Sequence, residues 1–311
     1  MSDYPKPFGP DQRYELIKQL GEGAGGRVYL AADRQEGREV ALKQLTRRRT
    51  PEEFERRFAL LSKLKHRNLV ELYAMYSTWE PPFYTMQLVP GVDIVRYIRE
   101  ESPAGIEVLG LEAEEDLEGN LLLGEKSRAA NRSVFTPPEA GGMDRARSAL
   151  RQLCSGLEYA HQQGLIHRDI TRGNIRVDSE GRLVVMDYGL AAEKLPTPET
   201  APANQDPSSG GDLVGTAAYM APEQWDAREL SPAVDWYSMG VVLFEALCGA
   251  LPFVGSAHEV FVRKRTVGAP SPSLLLPQIP DDLDAVCKGL MQSDPKRRWN
   301  AERVLQRLER G

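Results

Sequence analysis

Three groups of residues stand at spacings that suit chemistry on phosphate. The first is Gly21-Glu22-Gly23-Ala24-Gly25-Gly26-Arg27-Val28. Glycines lack a Cβ, so their backbone amides can approach phosphate oxygens closely. Such a run also marks dinucleotide-binding turns, but those lead from a strand into a helix. Here a strand-like stretch precedes the glycines and residues 27–33 (RVYLAAD) continue as another strand, which favours a hairpin. The second is Lys43, a charge in the apolar stretch Val40-Ala41-Leu42-Lys43. A charge there is costly unless paired; a phosphate partner accounts for it, and a lysine snorkelling from a sheet edge is the plain alternative. The third is His167-Arg168-Asp169-Ile170-Thr171-Arg172-Gly173-Asn174, with Asp187-Tyr188-Gly189 following 18 residues after Asp169. Residues 176–187 (RVDSEGRLVVMD) read as a short hairpin that returns the chain beside its starting loop. Asp169, Asn174 and Asp187 then converge as one acceptor for a hydroxyl proton and two hard oxygen ligands of the kind magnesium prefers. Taken singly, each is an ordinary solvated turn residue.

The elements that must position these groups change character along the chain. From Tyr14 to about Leu88 the pattern is strand-like, a β-meander broken by one helix. That helix opens at Thr50-Pro51-Glu52-Glu53, with threonine as N-cap, proline in the first turn and Glu53 as the third residue of a capping box. Phe54, Phe58, Leu61 and Leu64 supply its apolar face. Beyond Gly91 the pattern is helical: Ala146, Leu150, Leu153, Leu157 and Ala160 share one face, and Gly164 sits where a C-cap belongs. Ser231-Pro232 starts a helix that is apolar nearly all round and so should be buried. A small β-rich lobe therefore precedes a larger helical one.

The chain has 311 residues, 41% hydrophobic and 27% charged, the balance of an ordinary globular protein. Its net charge of −6 offers no attraction to nucleic acid or to an anionic membrane surface. No apolar run spans a bilayer, and the polar N-terminus lacks a signal-peptide core. Three cysteines without metal-ligand spacing suit a reducing compartment, so a cytoplasmic location is expected. Residues 101–142 hold nine acidic and three basic side chains, which places the chain's whole net charge in one segment. It reads as an acidic surface insertion, with short strands at 106–109 and 121–123. Residues 193–212 are rich in proline, serine and threonine.

GEGAGGRV, VALK, HRDITRGN, DYG, GTAAYMAPE (residues 215–223), the Asp235 region and DPKRR (residues 294–298) together resemble the ordered signature set of eukaryotic-type (Hanks-type) serine/threonine protein kinases, bacterial-like. The resemblance covers about Tyr14 to Leu308. It implies an α+β, bilobal protein-kinase-like fold: a kinase domain over 11–311, with N-lobe about 11–90, C-lobe about 91–311, the insertion at 101–142, an activation segment at 187–223 and a tail at 1–10. It implies ATP and Mg2+ as cofactors, and a protein substrate with Ser or Thr acceptors. By position, Gly21, Glu22, Gly23, Gly26, Val28, Ala41 and Lys43 would surround the nucleotide, Lys43 on its α/β-phosphates. Met86 falls at the gatekeeper, Gln87 to Val89 form the adenine-binding hinge, and Asp93 lies near the ribose. Asp169 would accept the hydroxyl proton, and Asn174 and Asp187 would hold magnesium. Glu223 and Arg298 match a buried ion pair, and Arg168 would meet an activation-loop phosphate. Acceptors within that loop would be Thr197, Thr200, Ser208 and Ser209, while Thr216 matches a substrate-side threonine.

Three positions depart from the pattern, the mildest being Tyr188 where phenylalanine usually follows the metal aspartate. The αC glutamate that pairs with the strand lysine lies nine residues before the histidine of His66-Arg67-Asn68-Leu69-Val70, and there this chain has Arg57. Glu55 lies about 160° around the helix, so Glu53 is the one substitute, through a shifted helix. Thr171 stands where a lysine usually meets the γ-phosphate, and Arg172 is the neighbour expected to reach it. These departures leave a pseudokinase, a nucleotide-binding regulatory or scaffold module, as the alternative to an active enzyme.

Overall fold

The computed structural model describes residues 4–23, 25–46, 50–100, 135–188, 217–225 and 230–310. The insertion segment 101–134, Arg47 to Arg49, and the loop that carries Thr197, Thr200, Ser208, Ser209 and Thr216 lie outside the described residues.

The first lobe is a six-stranded antiparallel sheet in the order β1-β2-β3-β4-β6-β5. Its strands are β1 (Lys6–Phe8), β2 (Tyr14–Gly23), β3 (Gly26–Asp33), β4 (Arg38–Gln44), β5 (Leu72–Tyr76) and β6 (Phe83–Gln87). Strand β1 was not expected, because the sequence reading made residues 1–10 a tail. It pairs with β2 (Lys6 with Leu16, Phe8 with Tyr14). Three residues are too few to print an alternating pattern; the strand forms because the Phe8 ring packs 5.0 Å from Phe83 and 6.1 Å from Trp79. These rings extend an outer cluster of Tyr14, Leu16, Tyr29, Ala31, Val40, Leu42 and Phe83.

Helix α1 (Pro51–Leu61) links β4 to β5, and the Thr50 side chain accepts from Glu53 N at 3.4 Å as expected of an N-cap. The reciprocal half of the capping box does not form, and Glu53 is exposed.

The second lobe opens with β7 (Val92–Asp93), α2 (Ile94–Arg99) and α3 (Gly142–Gln162). A small sheet β7-β8-β9 follows, with β8 (Ile175–Val177) and β9 (Leu183–Val185) as the anticipated hairpin. The remaining helices are α4 (Ala233–Cys248), α5 (Ala257–Thr266), α6 (Pro272–Leu275), α7 (Asp281–Leu290) and α8 (Ala301–Glu309). Helix α4 is buried from Val234 to Cys248, as its all-round apolar sequence requires. One apolar cluster runs from Ala41, Phe54, Tyr84 and Met86 in the first lobe to α3, β8, β9, α4 and α7 in the second. No helix among the described residues is long and apolar enough to cross a membrane.

Candidate active site

The glycine run forms the hairpin between β2 and β3, with Gly21 opposite Val28 and Gly23 opposite Gly26. Its glycines serve different ends. Gly26 has φ +124°, and a Cβ there would collide with the Gln44 carbonyl, so the fold itself demands glycine. A Cβ on Gly21 or Gly23 would meet no protein atom within 4 Å. The fold therefore leaves open space beside the backbone at those two positions. Glu22 is exposed and pairs with Arg27 at 2.8 Å. Val28, Ala41 and Met86 join the apolar cluster below the hairpin, and Ala41 lies opposite Met86 in the sheet. Gln87 N donates to Glu71 O at 2.8 Å, which fixes the start of the segment Gln87 to Val89 between the lobes.

Lys43 lies on β4, 9% exposed, with its Nζ 2.7 Å from Asp187 Oδ2. This is its carboxylate partner among the described residues. Glu53, proposed as a substitute helix glutamate, is exposed and does not pair with Lys43. Glu55 instead accepts a hydrogen bond from Ser77 Oγ. Arg57 is half-buried and engaged in an interaction of its own.

The loop carrying Asp169 is held from below by Asp235 of α4, which is 1% exposed. Asp235 accepts from His167 N at 2.8 Å and Arg168 N at 2.7 Å, and its Oδ2 lies 2.8 Å from His161 Nε2. Within the loop, Asp169 N donates to His167 Nδ1 at 3.2 Å, which leaves His167 Nε2–H to donate to Met186 O at 2.7 Å. One imidazole therefore joins the Asp169 loop to the strand end that presents Asp187.

Asn174 Nδ2 donates to Asp169 O at 2.8 Å and to Asp169 Oδ2 at 2.9 Å. The amide thus turns its Oδ1 away from Asp169, free to act as a ligand. Asp169 Oδ1 is buried without a hydrogen-bond partner, an acceptor aimed where nothing yet donates. Burial pushes the Asp169 carboxyl above the usual range; His167 and the Asn174 hydrogen bond oppose that rise. Asp187 has φ 54°, unusual for a residue with a side chain, and such strain persists only where the surroundings impose it.

Among the described residues no three His, Cys, Asp or Glu side chains form a ready-made metal cage. Magnesium does not need one, since it binds through one or two protein oxygens plus phosphate oxygens and water. Asn174 Oδ1, the Asp187 carboxylate, Lys43 and the open glycine backbone form a donor set that fits a magnesium–nucleotide pair.

Two expectations sort differently. The Glu223–Arg298 pair is buried as expected, with Nη1–Oε1 at 2.5 Å and Nη2–Oε2 at 3.0 Å. Arg172, expected near the γ-phosphate, instead bridges Asp93 at 3.1 Å and Glu245 at 3.1 Å. Glu245 also accepts from Tyr219 OH at 2.6 Å, and burial pushes its carboxyl up. A buried carboxylate, Glu245, and a half-buried one, Asp93, hold that guanidinium between them. Asp93 caps α2 through Val95 N and Arg96 N, so its place follows from the helix start. Sequence reading missed Tyr84, Glu245 and Lys264, which lie at unremarkable positions in an apolar strand and two helices. A polar residue inside an otherwise apolar pattern was the available signal for the first two.

A six-stranded roof over a helical base, with Lys43 and Asp187 meeting between them, defines a protein-kinase-like class of fold. The chain belongs to the protein kinase domain family, whose description, "Protein kinase domain", matches residues 14–308. It is similar to the DNA damage-responsive serine/threonine-protein kinase RqkA of Deinococcus radiodurans, 31% identical over 303 residues, covering 95% of this chain and 39% of that protein. It is also similar to the serine/threonine-protein kinase PknD of Chlamydia felis, 26% identical over 308 residues, covering 94% of this chain and 30% of that one. With PknL of Mycobacterium tuberculosis it shares 28% identity over 295 residues, covering 93% and 63%. The chain thus spans well under half the length of the first two relatives.

Proposed function

We propose that this chain is an ATP-dependent protein kinase that transfers the γ-phosphoryl group to Ser or Thr hydroxyls of proteins, its own loop included. The observation that carries the reading is the buried, unpartnered Oδ1 of Asp169 beside Asn174, in a carboxylate close enough to Asp187 and Lys43 to feel their charges. A substrate hydroxyl donating to that oxygen satisfies it, and is thereby oriented for in-line attack. Asn174 restrains the other Asp169 oxygen, so the acceptor cannot rotate away. Lys43 and the backbone at Gly21 and Gly23 hold the phosphates. Bound magnesium would neutralise charge on the phosphate oxygens, with Asn174 and Asp187 as its protein ligands. Arg172 serves the ribose side of the site by fixing Asp93, rather than the γ-phosphate. The alternative, a nucleotide-binding scaffold without transfer, rests on Arg57 and Thr171; the presence of Lys43, Asp169, Asn174 and Asp187 together is what favours transfer.

Purified protein with Mg-ATP is expected to phosphorylate itself and a generic serine/threonine acceptor. Asp169→Asn should lower the rate about 10²–10⁴-fold, the usual worth of a positioned acid or base. Lys43→Met should lower it about 10²–10³-fold, as for a lost electrostatic donor. Wild-type protein that binds ATP tightly yet labels neither target would sink the proposal.

A further inference from the structure

A buried phenol also touches the metal-site aspartate. Tyr84, on β6 and 1% exposed, donates from its hydroxyl to Asp187 Oδ1 at 3.0 Å. Lys43 holds Oδ2 of the same carboxylate at 2.7 Å. The two donors are not independent, for Lys43 and Tyr84 are direct cross-strand partners on β4 and β6. Paired residues point to the same face of a sheet, so strand register alone delivers both groups to one carboxylate. The Tyr84 ring is set in turn by Phe58 of α1, 6.4 Å away, and lines a small cavity with Leu61, Leu64, Val70, Leu72, Asp187 and Tyr188. Burial, together with the Asp187 charge, pushes the phenol far above its usual range, so it remains a donor throughout the physiological range.

The setting explains why a donor is needed there. Asp187 sits in a left-handed backbone conformation, which the surroundings must impose. Helix α1 contributes no carboxylate to Lys43: Glu53 is exposed and Glu55 serves Ser77. Resting on the kinase reading above, we infer that Tyr84 is a positioning residue for phosphoryl transfer, its hydroxyl clamping Asp187 between β4 and β6 and so presenting a metal-binding carboxylate without help from a helix-borne glutamate. The sheet carries both donors, so the clamp's geometry is independent of any carboxylate on α1.

Tyr84→Phe keeps the ring against Phe58 and removes only the hydroxyl, so the fold should persist. Loss of one hydrogen bond to a charged acceptor predicts that the Mg2+ concentration for half-maximal activity rises about tenfold or more. At saturating Mg2+, kcat should return close to wild type. A merely structural role would lower the rate equally at every Mg2+ concentration. Tyr188→Phe deletes a second hydroxyl in the same cavity, one that is buried without a partner, and reports the generic effect of such a loss. The Tyr84→Phe shift is expected to exceed it. The same comparison is made without turnover, by the rise in unfolding temperature that ATP gives as Mg2+ is titrated. There Tyr84→Phe should again need more Mg2+, even if wild type transfers no phosphate and the kinase reading fails. An unchanged Mg2+ requirement in both assays, or one matched by Tyr188→Phe, overturns the inference.

Discussion

Whether a buried charge has its partner decides most of what single residues do in this protein. Lys43 has Asp187, Arg172 has Asp93 and Glu245, and Arg298 has Glu223. The last pair is the most enclosed, with the Arg298 side chain 0% exposed. Its guanidinium also donates to the carbonyls of Gln292, Ala233 and Ser293 and lies 4.9 Å from the Tyr237 ring. A single deletion leaves the survivor buried and uncompensated, which costs about 3–5 kcal/mol. Arg298→Met should therefore lower stability by about that amount in urea titration. Arg298→Met combined with Glu223→Gln should cost less than the sum of the two single changes, because the second change relieves the stranded carboxylate. Strict additivity would mean that the ion pair contributes nothing and the carbonyl bonds carry the site.

At the scale of elements, the segment 217–220 beside the active site is held by a helix rather than by its own pairing. Lys264 of α5 is 0% exposed, and its Nζ donates to the carbonyls of Ala217 at 3.1 Å, Ala218 at 2.6 Å and Met220 at 2.7 Å. Among the described residues no carboxylate pairs with it, and the Tyr237 ring lies 5.3 Å away. Burial pulls its pKa down from 10.5 to about 7. The unfolded chain keeps this proton up to the ordinary lysine value, while the folded chain releases it near 7. Unfolding then takes up a proton between those limits, so this group makes stability rise with pH across that window, by at most about 1.4 kcal/mol per unit. Lys264→Met should remove the rise. Denaturation midpoints at pH 7 and pH 9 test it: wild type is expected to gain on the variant at the higher pH, and parallel midpoints would refute the assignment. Elements of this kind also mark what could be read from sequence. The N-cap of α1 at Thr50 and the all-round burial of α4 are local properties, and both were legible. The Asp169, Asn174, Asp187 and Lys43 set was legible because a hairpin and a strand bring it together. Tyr84 was not, since its role depends on which residue register places opposite Lys43. Arg172 was misplaced because Glu245 lies on a distant helix, and a local motif says nothing of it.

Over the whole molecule, the two lobes share one apolar core and a polar seam. Asn68, 2% exposed, donates from Nδ2 to Leu183 O at 2.7 Å and to Gln152 Oε1 at 2.9 Å. Its neighbours continue the link: Val185 N donates to Asn68 O and Val70 N to Val185 O, both at 2.9 Å. The lead-in to β5 is thereby sewn to β9, the strand that leads to Asp187 two residues beyond its end. Chains of this size often unfold in stages, but a continuous core couples the parts. Three of the four tryptophans, Trp225, Trp236 and Trp299, report on the second lobe, and Trp79 on the first. Tryptophan fluorescence and far-ultraviolet circular dichroism should therefore trace coincident urea transitions for wild type. Asn68→Ala strands the Leu183 carbonyl and should cost about 1–3 kcal/mol. If the seam is what couples the lobes, this variant also separates the two transitions, with Trp79→Phe in the same background assigning the earlier one to the sheet. Coincident curves in Asn68→Ala would place the coupling in the apolar core alone, through Ala41, Phe54, Tyr84 and Met86.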